Sequence, residues 1–99
     1  MPAPSRPLPR PFSYHWGNGR VVEEASYTGR HHEPAIQLLE YDDGEAAGSW
    51  SIRFCFYNKE GRFQRSPLVV SEDELEGLRA TLAQTPRLRA LLRRLVQED

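Results

Sequence analysis

Ser49-Trp50-Ser51-Ile52-Arg53-Phe54-Cys55-Phe56-Tyr57, followed by Asn58-Lys59-Glu60-Gly61 and then Arg62 to Ser71, is the stretch whose reading decides the fold. Trp50, Ile52, Phe54 and Phe56 share one parity and Ser51, Arg53, Cys55 and Tyr57 the other, which is the alternation of a strand with a strongly apolar face. That apolar face is expected to point at the core. Asn58 to Gly61 has turn chemistry, with Gly61 free to take a positive φ, so Arg62–Val70 reads as the returning strand of a hairpin. Pro67 cannot donate a ladder hydrogen bond, which puts this strand at a sheet edge, gives it a bulge, or breaks it near Ser66-Pro67.

Just beyond, Ser71 and Glu74 have the spacing of a capping box, and Val70 and Leu75 that of a hydrophobic staple, so a helix should begin at Glu72. Leu75, Leu78, Leu82 and Ala83 form its apolar stripe, interrupted by Gly77. Thr85-Pro86 then supplies an N-cap and a first-turn proline for a second helix, in which Leu88, Leu91, Leu92, Leu95 and Val96 recur at helical spacing.

Upstream, residues 1–12 hold five of the eight prolines together with Arg6 and Arg10. This composition favours extended, polyproline-like conformations and reads as a flexible tail. Tyr14, His15 and Trp16 precede Gly17-Asn18-Gly19, a turn signal that would close a short hairpin onto Arg20–Thr28, with the aromatics tucked over the sheet edge. In that strand Val21, Ala25 and Tyr27 share a face, and Val22 blurs the pattern. Ala35–Tyr41 is a further strand, joined to the deciding stretch by the acidic turn Asp42-Asp43-Gly44-Glu45. The expected fold class is therefore α+β, a curved antiparallel sheet of about four strands followed by two C-terminal helices, with residues 13–99 as the single domain.

The chain has 99 residues and a formal net charge of −1. The charge is uneven: +3 over residues 1–20, −6 over 21–45, +3 over 46–70 and −1 over 71–99, which sum to −1. No segment is basic enough to prove a nucleic-acid partner. Cys55 is the single cysteine, so an intrachain disulfide is excluded and a reducing, cytoplasmic setting is expected, with an inert, half-buried thiol. No secretory h-region or membrane-length apolar run stands out. His31, His32 and Glu33 contain metal-ligating types, but adjacent histidines in extended chain point in opposite directions, and solvated loop residues are expected. No phosphate loop, nucleophile elbow or paired-carboxylate signature is present, so neither an enzyme nor a cofactor is expected.

The order of strands and helices, with Ser51-Ile52-Arg53 leading an aromatic strand to Tyr57, the Glu60-Gly61 turn, and Pro67-Leu68-Val69-Val70-Ser71 entering a helix with Leu75 and Leu78, resembles the positive-cofactor-four family of single-stranded DNA-binding transcriptional coactivators. The resemblance covers residues 34–96. It implies a strongly curved sheet, dimerisation through the helices, and a sheet-and-loop groove for unwound DNA. Where that family has an aromatic-lysine-glycine-lysine turn, this chain has Tyr41-Asp42-Asp43-Gly44-Glu45.

Two functions follow as expectations. In the first, the chain is a homodimeric single-stranded nucleic-acid binder acting as a transcription regulator, with Arg53, Lys59, Arg62 and Arg65 meeting phosphates and Tyr41 and Tyr57 stacking on bases. In the second it is a protein-interaction or regulatory module without nucleic-acid binding. Either way Leu88, Leu91, Leu92 and Leu95 are expected to meet a second copy, because so short a chain has few faces left to bury them.

Overall fold

The computed structural model of the chain describes residues 6–64 and 67–97. Five strands, β1 (Arg10–Tyr14), β2 (Gly17–Ser26), β3 (Glu33–Tyr41), β4 (Trp50–Tyr57) and β5 (Leu68–Ser71), form one antiparallel meander in sequential order. A short 3₁₀ turn at Glu72–Glu74 leads into helix α1 (Leu75–Leu82), and helix α2 (Pro86–Val96) follows. The class is α+β with a curved sheet, as expected, but with five strands rather than four.

The additional strand is β1. Its residues Arg10 to Phe12 lie in the stretch read as a flexible tail, yet Phe12 is buried in the core. An edge strand tolerates Pro11, because only one of its sides needs a ladder. The hairpin between β1 and β2 turns on His15-Trp16, with Tyr14 opposite Gly17, so Gly17-Asn18-Gly19 belongs to β2 and is not the turn.

Those glycines let the sheet curl. A side chain at Gly19 would run into the Glu40 carbonyl and come within 2.8 Å of the Tyr41 Cα, so only a bare Cα permits the close approach of β2 to β3. A bulge between Val21 and Glu23 adds further bend and moves the alternation by one position. Val21 therefore faces inward while Ala25 pairs with Ile36 on the other side. This explains why Val22 broke the simple pattern.

The curl decides which face is enclosed, and it overturns the expected core. Phe12, Val21, Leu39 and Tyr41 form the central cluster on the concave side, with Tyr14, Trp16, Ala46 and Val69 packed against it. Ser51, Arg53 and Tyr57 share that side and are buried, Arg53 to 8% exposure. Trp50 and Phe56, expected in the core, are 50% and 43% exposed on the convex side, with Ile52 and Phe54 half-buried between them. The alternation holds; its inside and outside are exchanged. The reason is that, among the described residues, neither α1 nor α2 packs substantially on a strand, so most of the convex face stays open, although Val70, opposite Ile52 on that face, is buried.

At the sheet's end, the Ser71–Glu74 pair behaves as the spacing predicts. The Glu74 carboxylate accepts from the Ser71 backbone N–H and from its hydroxyl, each at 2.9 Å. The returning strand is shorter than expected: Phe63 makes an isolated bridge to Tyr57, and regular pairing resumes only at Leu68, so β5 is an edge strand, as Pro67 requires.

Candidate interaction surfaces

Three surfaces have distinct chemistry. The first is the polar half of the concave side. Gln37 on β3 stands at the parity of Ala35, Leu39 and Tyr41 and is almost fully enclosed, so both ends of its amide must find partners. Its Nε2 donates to the Tyr57 hydroxyl at 3.0 Å and to the Glu24 carboxylate at 2.6 Å, and its Oε1 accepts from Arg53 Nε at 2.6 Å. Arg10 Nη2 reaches the same Glu24 carboxylate at 2.9 Å. Burial works against the Glu24 charge, but the hydrogen bonds from Arg10 and Gln37 outweigh it and hold the carboxyl below its ordinary pKa.

Arg53 differs from Arg10. Its Nη1 donates to the Tyr14 hydroxyl at 3.1 Å, and its guanidinium lies 4.7 Å from the centre of the Phe63 ring and 5.9 Å from that of Phe12. Among the described residues no carboxylate pairs with it. Arg6, from the proline-rich leader, pairs with Glu33 and lies 3.6 Å from the centre of the Tyr57 ring.

This arrangement sorts the expected nucleic-acid residues. Arg62 and Lys59 are exposed, with Lys59 Nζ donating to the Gly29 carbonyl at 2.9 Å. Arg65 lies outside the described residues. Tyr41 and Tyr57 do not present stacking faces: Tyr41 is enclosed, with Phe12 edge-on to its ring and the Trp16 Nε1 donating to its hydroxyl at 2.9 Å, and Tyr57 lies beneath Arg6. Tyr14 and Trp16 are half-buried and stacked on each other with centroids 4.6 Å apart, and Phe63, beside Arg53, is exposed.

The second surface is apolar. Its sheet part, on the convex side, runs from Ile36 and Leu38 through Ile52, Phe54 and Phe56 to Leu68. Its helical part is the stripe Leu88, Leu91, Leu92 and Leu95, expected to face a second copy, and all four are exposed in the single chain, as are Leu75 and Leu78.

The third surface is an open cleft of about 1000 Å³ where Trp16 and the loop 45–49 face Trp50 and the start of the helical segment at Ser71, Asp73, Leu75 and Glu76. Gly44 positions the loop. It has φ +80° and its Cα packs against Gly17, where a side chain would meet the Trp16 carbonyl. Glu45, Glu72, Asp73 and Glu76 charge the walls, and among the described residues no lysine or arginine lines them. Sequence reasoning missed both this cleft and the Gln37 network. A glutamine at an inward parity of β3 was the available signal for the network.

Among the described residues no group of three or more His, Cys, Asp or Glu side chains is placed to share a metal ion. His31 and His32 are exposed, and the His32 ring meets Phe56 edge-on. Burial pushes the Cys55 thiol above its ordinary pKa, which disfavours the reactive thiolate. No helix among the described residues is long and apolar enough to cross a membrane. No family model, curated protein or solved structure matches the chain.

Proposed function

We propose that this chain is a self-associating protein-interaction module, a homodimer whose convex sheet face and C-terminal helices close against another copy. One observation carries this: among the described residues there are two apolar surfaces, one on a sheet and one on helices, and apart from Val70 both stay largely open. A helix stripe and a sheet face are the natural halves of a two-layer core. Fully burying one Leu or Phe side chain contributes about 1.5–3 kcal/mol, so leaving a row of them in water is a strong drive to associate. The role is one of binding rather than catalysis, and the single, unactivated thiol of Cys55 suits a reducing cytoplasm.

Light scattering at micromolar concentration tests it. The expected mass is twice 11.4 kDa, and a Leu92→Glu chain that retains its circular dichroism should fall to the monomer mass. A wild-type mass near 11.4 kDa at all concentrations overturns the proposal.

A second function, single-stranded nucleic-acid binding with a role in transcription, is favoured by Arg53. Arg53 is enclosed, at 8% exposure, but its guanidinium has no carboxylate partner among the described residues, and with the exposed Lys59 and Arg62, the exposed Phe63 and the half-buried, stacked Tyr14–Trp16 pair it offers positive charge beside stacking surface. Fluorescence anisotropy with oligo-dT at two salt concentrations decides it. Affinity that falls steeply with salt supports nucleic-acid binding, and no binding at low salt excludes it.

A further inference from the structure

The acidic cleft and helix α2 are opposite in charge, and within one chain they do not meet. The walls carry Glu45, Glu72, Asp73 and Glu76, with Trp16, Trp50, Leu75 and Ala46 supplying apolar surface between them. Helix α2 carries Arg87, Arg89, Arg93 and Arg94 and no acidic residue. At 100° per residue its leucines form one stripe, with Arg87 and Arg94 on one shoulder, Arg89 on the other and Arg93 behind. None of its residues lines the cleft of its own chain, and its packing is on α1.

We propose, on the footing of the self-association above, that α2 of a second copy of this chain seats in this cleft, leucines against Trp50, Leu75 and Ala46, with the flanking arginines reaching Glu45, Glu72 and Glu76. A helix with its side chains is about 10–12 Å across, so an open cleft of this size takes one side of it and leaves Arg93 in solvent. Repeated by a two-fold axis, the exchange fills both clefts and closes the assembly at two copies. Trp50 belongs both to the cleft and to the convex face, so the docked helix also begins to cover that face.

Charge reversal and its repair test the seat. Glu45 and Glu76 are exposed and stand outside the Ser71–Glu74 cap, so Glu45→Lys with Glu76→Lys should leave the fold intact by circular dichroism. In sedimentation the pair is expected to raise the dimer dissociation constant at least tenfold, and Arg87→Glu with Arg94→Glu should do the same. Combining all four substitutions in one chain should restore most of the lost affinity, because the opposed charges are exchanged rather than removed. A dimer indifferent to Glu45→Lys with Glu76→Lys, or not restored by the combination, overturns the cleft as the seat while leaving self-association standing. A wild-type chain that is monomeric throughout overturns both. As an independent readout, tryptophan emission, to which Trp16 and Trp50 at the cleft both contribute, should shift to the red on dilution of the wild type through its dissociation constant, and for Arg87→Glu with Arg94→Glu the same shift should come at a correspondingly higher concentration.

Discussion

Arg53 and Tyr14 stand on the fourth and first strands of the sheet and are joined by a 3.1 Å hydrogen bond from guanidinium to hydroxyl. In a flat sheet those strands would be about 14 Å apart, three intervals of about 4.8 Å. The bond therefore both reports the curl and helps to hold it. Tyr14→Phe removes the acceptor and should cost about 1 kcal/mol, and Arg53→Met, which also strips Gln37 Oε1 of its donor, about 2 kcal/mol. In urea denaturation the double variant should be less destabilised than the sum, by about 1 kcal/mol. Strict additivity would mean that the two side chains do not support each other.

Glu24 sets an acid limit on stability. Its folded pKa lies below the ordinary 4.5, so its contribution is fully present above the unfolded value and is lost as pH falls through the folded one. Thermal melts should show a midpoint that declines as pH drops below about 4.5, and Glu24→Gln should flatten that decline while lowering the midpoint at neutral pH. An unchanged acid limb in the variant would assign the effect to other carboxylates.

Gly19→Ala should be among the most damaging single substitutions in the chain. The added methyl meets backbone on β3 rather than a side chain that can turn away, and a forced separation of β2 from β3 disturbs the whole concave cluster. A loss of about 3 kcal/mol or failure to fold is expected. Gly77→Ala, where nothing lies within 4 Å, is the control and should be neutral or stabilising.

Ser71→Ala should destabilise by about 1 kcal/mol, because the hydroxyl and the Glu74 carboxylate act together at the entry to the helical segment. Chemical denaturation measures it, and a loss in helical ellipticity confined to the early part of the transition would locate the effect at α1.

How far the chain could be read from its letters follows the range of each signal. The β4 alternation, the Ser71–Glu74 pair and the Thr85-Pro86 start of α2 depend on a few neighbouring residues and were all legible. The enclosed face of β4 was not, because it is set by the curl at Gly19 and by the bulge at Val21, both on another strand. Apolar content alone favoured the Trp50 side, and it is the side that remains open. β1 was hidden by Pro11, which an edge strand can bear, and by the run of prolines before it. The cleft was out of reach, since its walls come from the first hairpin, the loop after β3 and the start of the helical segment.

The unbroken sequential order of the strands also bears on how the chain reaches its fold. Every ladder joins a strand to the next one along the chain, so no pairing waits for a distant segment to diffuse back, and the closure entropy of each step is that of a short connection. Hairpins can zip outward in both directions from β3, with the edge strands β1 and β5 arriving last. The helices, which make no substantial packing on a strand, need take little part in that process, and their leucines stay exposed when it is complete.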